Sequence, residues 1–422
     1  MKRGNQDYYE VLQLKINRTI HRIWFVAFLL LIFALTIFEI NTCYSRPIKW
    51  QNSQDNSPLS RGEHTMVFDS ANHKIILFGG MTTGLQTLGD TWMYDYASNS
   101  WTDLNPQSHP PSRVAHAMVY DSINNLTILY GGAVSETWVY NFSSNEWTQK
   151  FPVTQPPPLY CHAMAYDPIN QKVILFGGFN NGFSCDDLWA YDYPTNTWAE
   201  LSPSTRPGQR YGHVMAYDSA NQKVILFGGN SPVGYKTDTW EYDYRTNSWT
   251  EKSPSRHPNG RKWGSMTYDS VNQKMFLFGG NTEGGSGFLD DTWAYDYSLN
   301  EWVDLSPAIH PSQRANTALV YDSVNQKAIL FGGYYDYGVT IGDTWAYDYG
   351  NNSWISMSPT SSSTVTSSVS PSSFISTSVS SSPTQNTTSS ISVSTDFLTL
   401  EILAFAFAIV GIWVTRRRRR TR

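Results

Sequence analysis

The chain has 422 residues, with 30 Lys and Arg against 35 Asp and Glu, a net charge of −5. With 16 Trp, 26 Tyr and 20 Phe it is 15% aromatic and only 15% charged, which excludes a wholly disordered chain. The 29 Gly and 21 Pro follow no three-residue period, so it is not collagen-like, and three Cys cannot make a disulfide framework at this length.

Residues 1–22 are basic, with Lys2, Arg3, Lys15, Arg18 and Arg22 against Asp7 and Glu10. Residues 23–40 are apolar except for Glu39 and at helical rise span roughly 27 Å, close to a bilayer core. This run reads as a transmembrane anchor or as a signal peptide, with Cys43 and Ser45 as a tolerable cleavage site. Residues 41–60 are a juxtamembrane segment, in which 47–52, with Trp50, resemble a spare outer strand. At the other end, residues 358–395 are almost all Ser, Thr, Val and Pro and read as an extended stalk. Residues 396–414 read as a transmembrane helix and 415–422 as a cytoplasmic tail, with Arg416–Arg420 and Arg422 as its stop-transfer flank. The positive-inside rule puts both termini in the cytoplasm and the rest outside the cell, so a plasma-membrane protein is expected. Residues 41–395 hold 19 bases and 30 acids, a net −11, which argues against nucleic acid as a partner.

Between these ends lies a repeat. A Gly-Gly pair closes an apolar run six times, with first members Gly79, Gly131, Gly177, Gly228, Gly279 and Gly332. An acid-x-Trp follows each pair, ending on Trp92, Trp138, Trp189, Trp240, Trp293 and Trp345. Nine residues later comes a second tryptophan: Trp101, Trp147, Trp198, Trp249, Trp302 and Trp354. Each unit predicts four short strands, A like His213–Tyr217, B like Lys223–Phe227, C like Thr239–Tyr244, and D carrying the second Trp. Asp- and Asn-rich turns join A to B and C to D. One such unit exposes two apolar faces, and stacking six radially buries them, with aromatic rings filling the wedges.

The Gly-Gly, the acid-x-Trp and the later Trp resemble the kelch repeat. The resemblance covers residues 61–357 and implies an all-β, six-bladed kelch-type β-propeller, here flanked by N- and C-terminal hydrophobic membrane segments. Arg61, Arg113, Arg210, Arg261 and Arg314 lead strand A, with Leu159 in blade 3. Around one channel mouth, such a ring of guanidinium groups would bind carboxylates. The resemblance implies instead that they bond neighbouring backbone. His64, His116, His162 and His213 follow three residues on, a repeat feature without metal-ligand spacing.

The A–B and C–D turns are near-uniform across the six copies, whereas the B–C loops vary in length and carry aromatics. The variable loops are therefore the expected recognition face. Its strongest candidates are Tyr334, Tyr335, Asp336 and Tyr337, followed by Phe179, Asn180, Asn181, Phe183, Tyr235 and Phe288. The alternative is that these rings tuck onto the blade tops.

No catalytic residue is expected: Gly-x-Ser-x-Gly, His-Glu-x-x-His and a phosphate loop are all missing from the sequence. Galactose oxidase, a kelch-fold enzyme, needs a copper site that Tyr160-Cys161-His162 only superficially echoes. Outside the cell a Cys161–Cys185 disulfide is the expectation. Sequons occur at Asn125, Asn141, Asn351 and Asn386, while that at Asn17 would be cytoplasmic. No cofactor or metal is implied. The expected function is a surface-displayed, non-catalytic protein-interaction or adhesion module. The rivals are a glycan-binding propeller and a carbohydrate-active enzyme.

Overall fold

Alternating apolar residues in strand-sized segments, separated by Asp and Asn turns, fold here as consecutive four-stranded antiparallel sheets. The structure is a computed structural model that describes residues 57–283, 287–336 and 338–357. Both apolar end segments, the stalk, Asn386, the spare strand at 47–52 and Tyr337 lie outside the described residues. Among the described residues there are no α-helices, and none is therefore long and apolar enough to cross a membrane.

Each repeat makes one blade with strands in the order A–B–C–D. Blade 1 comprises Thr65–Asp69, Lys74–Phe78, Thr91–Asp95 and Ser100–Asp103, and blade 4 comprises Val214–Asp218, Lys223–Phe227, Thr239–Asp243 and Ser248–Lys252. Strand A of blade 4 thus starts and ends one residue later than expected. The A strands of successive blades touch one another, and that of blade 6 (Ala318–Asp322) touches that of blade 1, so they form a closed inner ring. The B–C segments are less irregular than the sequence suggests. Blades 3, 4 and 6 form small hairpins there, at Phe179–Asn180 with Phe183–Ser184, Asn230–Ser231 with Gly234–Tyr235, and Tyr334–Asp336 with Val339–Thr340. In blade 5 strands B (Lys274–Asn281) and C (Phe288–Asp296) run on past a bulge.

The apolar core is divided among the six blade-to-blade interfaces. Between blades 3 and 4, for example, Ala165, Ile174 and Phe176 meet Val224, Trp240, Tyr242 and Trp249. Tryptophan fills these wedges and bonds across them. The strand-D Trp Nε1 donates to the first strand-C threonine of the preceding blade in Trp147–Thr91, Trp198–Thr137, Trp302–Thr239, Trp354–Thr292 and, closing the ring, Trp101–Thr344, at 2.9–3.1 Å. Blade 3 begins strand C with Leu188 instead, and Trp249 Nε1 is left buried without a hydrogen bond. Blades 1 and 6 each have their own outer strand, so the described ring closes without a strand from elsewhere.

The two glycines of each pair take positive φ, the first lying against the leading residue of the next blade and the second against the start of strand A in its own blade. At Gly332 (φ +70°) a Cβ would stand 2.6 Å from the Arg61 carbonyl oxygen. The uniform turns close as their composition predicts. Buried Asp69 accepts from the amides of Ala71 and Asn72, both at 3.0 Å, and Asp121, Asp167, Asp218, Asp269 and Asp322 repeat this.

Candidate functional site

The arginines that lead strand A are structural. Arg61 is fully buried, and its guanidinium donates to the Gly79 carbonyl (3.0 Å) and in bidentate fashion to Asp90 (2.6 and 2.8 Å). Asp90 also accepts from Trp92 Nε1 at 2.7 Å. Arg113 with Glu136, Arg210 with Asp238, Arg261 with Asp291 and Arg314 with Asp343 repeat the unit. The acid-x-Trp motif is therefore the counter-ion of the leading arginine: each of the five guanidiniums is neutralised within its own blade and bonds neighbouring backbone, as the family resemblance implies, and the alternative of a carboxylate-binding ring at the channel mouth is set aside. In blade 3 Leu159 fills the arginine position. There burial, with Asp186 beside it, pushes the Asp187 carboxyl up, and Trp189 Nε1 lacks a hydrogen bond.

Two residues after the arginine each blade passes through a left-handed residue: Glu63, Ala115, Cys161, Gly212, Trp263 and Asn316, with φ of 52–65°. Their backbones close a circle. Ala115 donates to Glu63, Cys161 to Ala115, Gly212 to Cys161, Trp263 to Gly212, Asn316 to Trp263 and Glu63 to Asn316, at 2.7–3.0 Å. With the next residue of each blade they line a cavity of about 150 Å³ at the channel mouth. Trp263, the one tryptophan among the described residues outside the twelve repeat positions, belongs to this circle. The sequence signal was available, because this position varies between a near-constant arginine and a frequent histidine.

The four histidines stand just below. Each packs edge-on against an aromatic ring of the preceding blade: His64 on Phe331, His116 on Phe78, His162 on Tyr130 and His213 on Phe176, at 5.5–5.8 Å. Burial, reinforced by Arg61 and Arg210 respectively, holds His64 and His213 at about 3, and burial brings His162 to about 3. Burial and then Arg113 push His116 well below its usual value. Among the described residues no group of three His, Cys, Asp or Glu is placed to hold a metal ion.

The expected Cys161–Cys185 disulfide is not formed, and both thiols are free. Cys161 is fixed in the channel circle, while Cys185 is bonded through its backbone to Gly178 and to Arg210 of blade 4. Burial pushes the Cys161 thiol up to about 12, which makes it a poor nucleophile.

Of the expected contact patch, Tyr334 and Phe288 are buried (7% and 8% exposed) and pack with Ala315 against Trp263 and Met81. These two rings tuck in, because Gly62 leaves room for the Tyr334 ring. Tyr335, Asp336, Asn181 and Phe183 are exposed, Phe183 the most at 75%. Phe179, Asn180 and Tyr235 are half-buried. Phe179 lies between Tyr160 (5.3 Å) and Tyr211 (5.0 Å). Lys262 Nζ then stands over Tyr211, Tyr235 and Trp263, at 5.7, 5.3 and 3.8 Å. These residues form a continuous shelf across blades 3–5, whose members Tyr160, Tyr211, Lys262 and Trp263 sequence reasoning missed. Tyr160, Tyr211 and Lys262 directly follow the arginine position, which is Leu159 in blade 3, and Trp263 comes one residue later, all outside the long loops.

Comparison with known proteins agrees with this architecture. Kelch domain-containing protein 10 of Xenopus tropicalis is 25% identical over 329 residues, covering 73% of this chain and 67% of that protein. Mei4-dependent protein 6 of Schizosaccharomyces pombe is 27% identical over 321 residues, covering 65% and 45%. Tip elongation aberrant protein 1 of the same yeast is 25% identical over 245 residues, covering 56% and 17%. The family model for the KLHDC2/KLHL20/DRC7 Kelch-repeats domain matches residues 34–149, 123–307 and 221–380. With six blades built on that repeat, the chain belongs to the kelch-repeat propeller family.

Proposed function

We propose that this protein is a surface-displayed, non-catalytic kelch propeller that binds a protein partner, in an adhesion-like role, through the channel-mouth face of blades 3–5. Kelch propellers are generally protein–protein interaction modules. The observation that carries the reading is the shelf of Tyr160, Phe179, Tyr211, Tyr235, Trp263 and Lys262, with Phe183 standing out at its edge. Half-buried aromatic rings held by neighbours lose little entropy on binding and suit the centre of an interface. The surface assignment is supported by the apolar runs at both ends, the arginine tail and the −11 charge between them.

The test is proximity labelling on intact cells with the full chain, comparing the wild type with a Tyr211→Ala, Phe183→Ala variant. Partners labelled by the wild type and lost in the variant support the reading. An unchanged set of partners refutes the shelf. A second reading, glycan binding, is favoured by the amide of Asn230, which donates to the Tyr211 hydroxyl at 2.8 Å beside the rings. Sugar-specific retention on a glycan array would replace the protein partner with a glycan.

A further inference from the structure

Five blades tie the start of strand B to the end of strand C with an ion pair: Lys74–Asp95, Lys172–Asp192, Lys223–Asp243, Lys274–Asp296 and Lys327–Asp348, at 2.5–3.1 Å. Blade 2 lacks both halves. Leu126 stands where the lysine should be and Asn141 where the aspartate should be. The same stretch creates two sequons, Asn125-Leu126-Thr127 and Asn141-Phe142-Ser143. Both asparagines are exposed. Their Oδ1 atoms accept hydrogen bonds, Asn125 from Tyr120 Oη at 3.3 Å and Asn141 from the Ser144 amide at 3.2 Å. Among the described residues neither Nδ2, the atom a sugar would be attached to, has a hydrogen-bond partner. At Asn351, by contrast, Nδ2 donates to Asp348 at 2.7 Å. Beside Asn141 a cleft of about 220 Å³ runs between Leu126 and Tyr193 of blade 3, with Lys150 Nζ 5.0 Å above the Tyr193 ring. It offers a first sugar both an aromatic ring and polar groups.

We propose that the turn face of blade 2 is an N-glycosylation site, with glycans on Asn125 and Asn141. The inference rests on the surface reading above. In the transfer, Asn Nδ2 bonds to C1 of a lipid-pyrophosphate-linked oligosaccharide. The C1–O bond to the pyrophosphate breaks, the lipid pyrophosphate leaves with the electron pair, and the transferase takes the amide proton. Glycans here would leave the aromatic shelf uncovered, because turns and shelf belong to opposite ends of the blades.

The test is to express the full chain in cells that N-glycosylate surface proteins and release glycans enzymatically in ¹⁸O water. Heavy-oxygen deamidation at Asn125 and Asn141 is expected, and Thr127→Ala and Ser143→Ala should each remove one site. The stalk sequon at Asn386 serves as a topology control. An occupied Asn386 with unmodified Asn125 and Asn141 overturns the proposal and leaves the surface reading standing. No glycan at any of the three, with a propeller protected from protease on intact cells, overturns both.

Discussion

Acidification from pH 7 to pH 5 should destabilise the propeller steeply, through the buried histidines. An unfolded histidine titrates near 6.5, whereas His64, His162 and His213 are held at about 3 in the fold and His116 is shifted the same way. Each is a base with a lowered folded value. Its neutral form is stable in the fold above about pH 6.5, and stability is lost as the pH falls from there toward 3. At pH 5 each unfolded imidazole gains a proton that the folded one refuses, worth about 2 kcal/mol. Any folded value below about 4 gives the same result. Three such groups remove about 6 kcal/mol and His116 adds to that, against a typical domain stability of about 5–15 kcal/mol. Glu63 and Asp187, which burial raises, work in the opposite direction and offset a fraction. Asp90 and Asp238 are held low by their arginines, so their stabilisation is lost only at more acid pH. Urea unfolding followed by tryptophan fluorescence at pH steps from 7.5 to 5 measures the slope. Uptake of about three protons is expected at the lower end of that range. Uptake of fewer than one, or an unchanged slope in a His64→Gln, His162→Gln, His213→Gln variant, would refute the reasoning.

Removing one leading arginine leaves its acid unpaired, so Arg210→Leu should cost about 3 kcal/mol in urea unfolding. Asp238→Asn in the same chain should recover part of that loss, and equal losses in the single and double variants would count against the pair. Trp198→Phe should be more destabilising than Trp249→Phe by about 1 kcal/mol, because only Trp198 loses a hydrogen bond to threonine; equal melting temperatures would contradict this. Installing in blade 2 the ion pair of the other blades, with Leu126→Lys and Asn141→Asp, should show a favourable coupling of about 0.5 kcal/mol between the two positions, the scale of a partly exposed pair, although Leu126→Lys by itself loses the burial of a core side chain. A double-mutant cycle showing no coupling between the two positions would refute it.

The sequence by itself determined the fold class, the number of blades, the turn faces and the packing role of twelve tryptophans. These are repeated, local features: strand alternation, Asp turns and Gly-Gly recur six times in register with the chain, so comparison within one sequence exposes them. What only the tertiary structure decided are relations between blades and between distant parts of one repeat. The arginine and the acid-x-Trp are nearly thirty residues apart, and only the folded blade shows that one neutralises the other. Tyr334 and Phe288 looked exposed in a variable loop, but Gly62 and Ala315, in other segments, give them a place to pack. Cys161 and Cys185 share a blade yet are held by different backbone partners, so proximity in sequence misled. The channel circle through Trp263 exists only when six chain segments close on one another. A pattern of period about fifty records what each blade must be, and the contacts that fix the binding face arise where the blades meet.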